Sequence, residues 1–148
     1  MEKLAPNLLI IDDEPEVLET LGLMLKKEGY RIEFASNGHE ALEKIIQDSY
    51  DLVICDFIMP KMDGLKLLTS LREKKNLTPF IFFSGNSGDQ EELKMANLGA
   101  HALLEKQDIF KLPALIKKSI IHARGVKKLS EKHTEEADEF LNILHSTK

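Results

Sequence analysis

The sequence predicts an α/β domain in which a doubly wound, five-stranded parallel sheet is covered by helices on both faces. Three observations predict it. Short apolar runs recur along the chain, most are continuous rather than alternating, and each is followed by a segment of helical spacing. Strands buried on both faces show no in/out alternation, which is the mark of a parallel sheet between helices.

Taken in order, the first strand is Leu8-Leu9-Ile10-Ile11, and the helix after it presents Val17, Leu18, Leu21, Met24 and Leu25 to the core before Gly29 stops it. Tyr30-Arg31-Ile32-Glu33-Phe34-Ala35 alternates, which suits an edge strand, and Ala41, Leu42, Ile45 and Ile46 form the inward stripe of the second helix. Leu52-Val53-Ile54-Cys55 is the third strand, followed by a helix carrying Leu65, Leu67, Leu68 and Leu71. That helix must end before Thr78-Pro79, since proline cannot continue it. Phe80-Ile81-Phe82-Phe83 is the fourth strand, with a fourth helix over Gln90 to Leu98 ended by Gly99. Ala102-Leu103-Leu104 is the fifth, with a fifth helix from about Leu112 to about Ala123 burying Leu115, Ile116, Ser119 and Ile120.

At 148 residues the chain has room for one hydrophobic core. A net charge of −5 argues against a whole-surface grip on nucleic acid or an anionic membrane, and no direct nucleic-acid partner is expected. The single cysteine, Cys55, excludes an internal disulfide and a cysteine-cluster zinc site. No secretory leader is evident at Met1 to Pro6, and no apolar run approaches the roughly 18 residues of a membrane span, so a cytoplasmic protein without membrane insertion is expected.

Doubly wound sheets bind ligands beyond the carboxyl ends of their strands, which makes the residues after each strand the informative ones. Asp12-Asp13 follow the first strand, Asp56 ends the third, Ser84-Gly85-Asn86 end the fourth and Glu105-Lys106 end the fifth. If those strands lie side by side, three carboxylates, a hydroxyl and an ammonium converge. Clustered carboxylates favour a hard cation such as Mg²⁺, which takes oxygen ligands and shares itself with phosphate. Asp56, at the centre, is then a candidate carboxylate nucleophile towards a phosphoryl group, with Ser84 and Lys106 stabilising its oxygens.

In this order the residues resemble a two-component response-regulator receiver domain of the stand-alone, chemotaxis-response-regulator-like kind. The resemblance rests on Asp12-Asp13, on Asp56-Phe57-Ile58-Met59-Pro60-Lys61-Met62-Asp63-Gly64, on Ser84-Gly85, and on Gly99-Ala100 followed by Lys106. It implies the flavodoxin-like strand order 2-1-3-4-5, for which a receiver protein is itself a standard illustration. It implies that Asp56 accepts the phosphoryl group, that Asp13 ligates Mg²⁺ and Asp12 holds it largely through water, and that Asp56 and the Ile58 carbonyl complete the protein ligands. Ser84 would follow the phosphoryl group and Lys106 would pair with it. The implied donor is the phosphohistidine of a sensor histidine kinase or a histidine phosphotransfer protein. The implied output is contact with a downstream protein partner, and the chain is a phosphoacceptor rather than an enzyme of turnover, apart from its own phosphotransfer and autodephosphorylation.

Three departures qualify the resemblance. Gln107 follows Lys106 where family members often carry proline, so a trans bond is expected there. Leu103 stands where many receivers place an aromatic switch residue, which leaves His101 or a side chain of the fourth helix to carry the signal, or else favours a phosphorelay intermediate or phosphate sink. Ile58 and Asn86 flank the path of a hydrolytic water, and the apolar Ile58 favours a long-lived acyl phosphate.

A Mg²⁺-dependent phosphohydrolase of the haloacid-dehalogenase type is the competing class, but its nucleophile follows the first strand in an Asp-x-Asp pattern that is not present here. A flavin carrier is excluded because the first loop is acidic where a phosphate cradle should donate hydrogen bonds. Cys55 reads as a buried core residue. His39, His101, His122, His133 and His145 read as scattered surface residues, and Lys26-Lys27, Lys74-Lys75 and Lys117-Lys118 as cations near helix ends. Residues 5–124 make up the receiver-like domain. Residues 125–148 are too short for a conventional effector, yet Val126, Leu129, His133, Ala137, Phe140 and Leu144 recur at helical spacing. An extra C-terminal helix is therefore expected, available for interaction or for a homodimer, with the fourth-helix, fifth-strand and fifth-helix face as the other candidate dimer surface.

Overall fold

A computed structural model describes residues 4–59, 62–85 and 96–125. Five strands, β1 (Asn7–Ile11), β2 (Arg31–Ala35), β3 (Leu52–Cys55), β4 (Phe80–Ser84) and β5 (Ala102–Glu105), form one parallel sheet in the order β2-β1-β3-β4-β5. Helices α1 (Pro15–Lys27), α2 (Gly38–Gln47) and α3 (Gly64–Glu73) follow the first three strands. A 3₁₀ helix (Lys106–Lys111) follows β5 and leads into a last helix over residues 112–125.

The continuity of the apolar runs translates directly into two-sided burial. Every residue of β3 and β4 is buried, and alternate residues feed two cores. Leu9, Val53, Cys55, Phe80 and Phe82 pack under α2 and α3. Leu8, Ile10, Ile54, Ile81 and Phe83 pack under α1 and the last helix, against Leu21, Leu25, Ile116 and Ile120. The alternating run forms the edge strand β2, as its pattern requires.

The helix boundaries have local causes. Asn37 caps α2 by accepting from the Glu40 N–H at 2.9 Å, and Asp63 caps α3 by accepting from the Lys66 N–H at 2.8 Å. Gly29, just beyond α1, has φ +94°, a conformation in which a side chain is strained. The ends also carry matched charge. Glu16 sits in the first turn of α1 and Glu40 in that of α2, while Lys26-Lys27, Lys44 and Arg72 occupy the last turns of α1, α2 and α3.

Some expectations are corrected. Ile46 is 58% exposed rather than inward, because Ala41 and Ile45 already fill the stripe and Ile46 is rotated about 100° from its neighbour. Met24 is only half-buried. The last helix runs through Gly125, so Lys117-Lys118 lie in its middle rather than near an end. Of the expected fourth helix only its end at residues 96–97 and Gly99, with φ +77°, are described. Asn86, Pro60-Lys61 and the extension from Val126 onward lie outside the described residues. No cis peptide bond occurs among the described residues, so Lys106-Gln107 is trans as expected.

Candidate functional site

The site is assembled at the carboxyl edge of the sheet by the backbone ladder itself. The Asp12 N–H donates to the Ala35 carbonyl at 3.2 Å, and the Asp56 N–H donates to the Ile11 carbonyl at 2.9 Å. These bonds extend β2-β1 and β1-β3 pairing by one residue and fix both side chains above the strands. Asp12 Oδ1 also accepts from the Glu14 N–H at 2.9 Å, which holds the turn into α1. Asp13 is exposed beside it. Carboxylate oxygens of Asp12, Asp13 and Asp56 all lie within 4.8 Å of one another.

Asp12 and Asp56 are 2% and 6% exposed, unusual burial for two acids facing each other. Lys106 compensates them from the end of β5. Its Nζ lies 2.9 Å from Asp12 Oδ2 and 3.4 Å from Asp56 Oδ2. The Asp56 carboxyl is still held above its ordinary pKa, first by burial and then by the Asp12 charge, which together outweigh Lys106 and the Ile58 N–H. Burial alone would depress the Lys106 ammonium, but the hydrogen bond and charge of Asp12, with Asp56 behind them, hold it above its usual value. Ser84 is buried at the end of β4, in register with Glu105 of β5, which places it on the same rim.

Below the rim, packing leaves little freedom. Cys55 Sγ lies 3.1 Å from the Asp56 carbonyl, and burial followed by the Asp56 charge pushes its thiol well up, so it belongs to the core as read from sequence. Gly64, at the start of α3, approaches so closely that a Cβ there would lie 2.5 Å from the Asp56 carbonyl oxygen and 2.7 Å from the Phe82 ring. The Gly64 N–H donates to the Phe57 carbonyl at 2.9 Å, tying α3 to the loop after Asp56. Phe57 and Met59 are buried in that loop, while Ile58 is 65% exposed.

The structure thus brings together Asp12, Asp56 and Lys106 by contact, Asp13 to within 4.8 Å of the other two carboxylates, and Ser84 and Ile58 by position on the same edge. His101 is not among them. It precedes β5, donates its backbone N–H to the Phe80 carbonyl at 2.8 Å, and therefore stands at the opposite end of the sheet. It is half-buried rather than superficial, and its ring meets that of His122 edge-on at 5.6 Å. Burial first, then His122 and Arg72, hold its imidazole below the usual value. Leu103 packs partly buried against the core under α2 and α3.

Sequence reading also missed Arg72. Its guanidinium donates to the carbonyls of Leu98 at 2.7 Å, Asn76 at 2.9 Å and Thr78 at 3.1 Å, clamping the loops before β4 and β5. A basic residue in the last turn of a helix was the only signal, and that signal reads equally well as dipole compensation.

Removing Lys106 leaves Asp12 and Asp56 facing each other without a cation. Lys106→Ala is expected to cost about 1–3 kcal/mol at pH 7. The loss should shrink below the raised titration range of Asp56, where one of the two charges is gone. Urea titrations at pH 7 and pH 4 check this, and equal losses at both would show that packing rather than charge is responsible.

Comparison with known proteins gives a consistent answer. The family model described as response regulator receiver domain matches residues 8–118. The response regulator GtcR of Aneurinibacillus migulanus is 38% identical over 103 residues, covering 70% of this chain and 42% of that protein. The transcriptional regulatory protein DltR of Streptococcus agalactiae is 34% identical over 100 residues, covering 68% of this chain and 45% of that one. The chain therefore matches less than half the length of these curated relatives. Among solved structures, the response regulator protein TrrA of Thermotoga maritima, in complex with Mg²⁺-BeF, is 35% identical with a TM-score of 0.70, covering 77% of this chain and 98% of its own. A response regulator receiver protein from Pseudomonas putida is 28% identical with a TM-score of 0.75, covering 79% of this chain and 99% of its own.

Proposed function

The chain belongs to the response regulator receiver domain family of two-component signalling, and from that premise we propose that Asp56 is its phosphoacceptor, served by Asp12, Asp13, Ser84, Lys106 and the Ile58 carbonyl. The observation that carries this reading is the buried Asp56 carboxylate, flanked by two further acids and reached by one ammonium. Residues 5–124 would form the acceptor domain.

The donor set fits Mg²⁺. Three carboxylates supply hard oxygens within 4.8 Å of one another, and two of them are buried with Lys106 as their one cationic side-chain partner among the described residues. Asp12, Asp13, Asp56 and the Ile58 carbonyl are the residues that would hold it. When bound, the cation supplies positive charge that offsets the carboxylates and the incoming phosphoryl oxygens.

The reacting groups of the chain divide the remaining work. A carboxylate oxygen of Asp56 attacks phosphorus, an O–P bond forms, and the N–P bond of the donor phosphohistidine breaks with its electron pair returning to the imidazole. Burial and the neighbouring Asp12 charge raise the pKa of Asp56, so its carboxylate is a more basic nucleophile than that of an exposed aspartate. Lys106 is already within 3.4 Å of Asp56, and its ammonium can pass from the carboxylate to a phosphoryl oxygen without leaving the site. Ser84, on the neighbouring strand end, offers a hydroxyl to a second oxygen. The exposed Ile58 brings no polar group to a water approaching the acyl phosphate, which favours a slow autodephosphorylation.

The partner implied is a sensor histidine kinase or histidine phosphotransfer protein, and the output a contact with a downstream protein. No helix among the described residues is long and apolar enough to cross a membrane.

Incubation of the full chain with acetyl phosphate and Mg²⁺, followed by borohydride reduction and peptide mass spectrometry, tests the assignment. An aspartyl phosphate at position 56 is recovered as homoserine there, and the label should disappear when EDTA replaces Mg²⁺. Homoserine at Asp12 or Asp13 instead would sink the assignment.

A further inference from the structure

At the end of the sheet opposite Asp56, a groove of about 1180 Å³ opens between the last helix and the segments that enter β3, β4 and β5. Leu77, Pro79 and Leu115 give it apolar walls, and Leu77 is 76% exposed. Lys118, His122 and Arg124 line it from the last helix. One acid, Asp51, is among its lining residues, and it is 3.8 Å from Arg124. His101 also lines the groove, and its Nδ1 is buried without a hydrogen-bond partner among the described residues. The groove therefore suits an occupant that is apolar on one side and acidic beside it.

The chain itself encodes such a segment. Glu135, Glu136, Asp138 and Glu139 place four acids within five residues, and Phe140, Leu141, Ile143 and Leu144 follow directly. Arg124, a wall of the groove, lies only eleven residues before Glu135. Ten residues beyond Gly125 span up to about 33 Å when extended. The segment can therefore return to the groove without strain.

We propose that residues 135–144 of this same chain fold back into the groove at the amino-terminal end of the sheet. Their apolar side chains meet Leu77, Pro79 and Leu115, and their acids meet Lys118 and Arg124. Docking there leaves the Asp56 edge open, because the two lie at opposite ends of the strands. The segment is a built-in cover for the base of the domain rather than a block on the acceptor, and the reading stands whether or not Asp56 is the phosphoacceptor.

Zero-length carbodiimide coupling of an equimolar mixture of ¹⁴N and ¹⁵N full-length chains tests it. The expected product joins the Lys118 amine to a carboxylate within residues 135–139, with both peptides of the same isotope. Straight continuation of the last helix would hold Lys118 and Glu135 about 25 Å apart, beyond the reach of a direct amide. Absence of the Lys118 product therefore overturns the proposal. Mixed-isotope products also overturn it, in favour of a second copy as the occupant. In the full-length Phe140→Asp, Leu144→Asp variant the Lys118 product should be lost while the far-UV circular dichroism spectrum and a cooperative urea transition are kept, a sign that the domain is folded. Retention of the product in that variant would show that the apolar groove does not hold the segment.

Discussion

Asp56→Asn is expected to take up no phosphoryl group from acetyl phosphate and Mg²⁺, and to melt at a higher temperature than the wild type at neutral pH. The first effect follows from chemistry, since an amide oxygen is no substitute for a carboxylate nucleophile. The second follows from electrostatics. Burial and the neighbouring Asp12 charge raise the pKa of Asp56 in the fold, so ionisation there works against the folded state. A raised acid makes the fold bind its proton more tightly than the unfolded chain does. Its penalty is absent below the unfolded pKa and complete above the raised one. The gain from Asn should show as a higher Tm at pH 7. It should fade as pH falls through the carboxylate range, where the wild-type acid becomes neutral too. Calorimetry of both proteins at pH 7 and pH 4, with intact-mass measurement of labelling, separates the two effects. A variant that melts below the wild type at pH 7 would mean that the Lys106 contact is worth more than the charge relief.

Gly64→Ala is expected to destabilise the domain by about 1–3 kcal/mol and to slow labelling of Asp56. In an ordinary helix interior this change would gain up to about 1 kcal/mol from propensity. At Gly64 the new methyl would meet the Asp56 carbonyl oxygen at 2.5 Å, the Phe82 ring at 2.7 Å and Cys55 Sγ at 3.3 Å. The first of these atoms is backbone, and the others are fixed in fully buried side chains. Nothing flexible can yield, so overpacking outweighs propensity. Relief comes only by moving α3 or the strand end that carries Asp56. Urea unfolding monitored by far-UV circular dichroism, with the rate of acetyl phosphate labelling, checks both parts. An unchanged midpoint would mean that α3 sits less tightly on β3 than the contacts indicate.

The legible and illegible parts of this protein divide along physical lines. β1, β3 and β4 were readable because continuous apolar runs this short admit few other placements in a folded domain, and β2 was readable as an edge because it alternates. Asp12, Asp56 and Lys106 were readable because a parallel sheet sends the residues after its strands to one edge, whatever their separation in sequence. Ile46 was misread because two adjacent isoleucines cannot both face the sheet, and periodicity alone does not say which one does. The meeting of His101 with His122, and the Arg72 clamp on Leu98, Asn76 and Thr78, were not readable. Each depends on how helix ends abut strand starts across the base of the fold. The stronger hold of Lys106 on Asp12 than on Asp56 was likewise invisible, since it turns on a difference of 0.5 Å between two contacts of 2.9 and 3.4 Å.

The charges at the helix ends reach beyond the stability of single helices. Parallel strands and antiparallel helices place the starts of α1, α2 and α3 on the Asp56 edge and their ends at the base. Glu16, Glu40 and Asp63 thus join Asp12, Asp13 and Asp56 at one pole, and Lys26, Lys27 and Arg72 gather at the other, while the Lys44 ammonium reaches back to Glu40. A chain of net charge −5 is in this way also an electric dipole, and an approaching molecule feels its orientation before any contact is made. A phosphodonor with a basic docking face would be turned towards the Asp56 pole during diffusion, and its association rate should fall as added salt shortens the range of that torque.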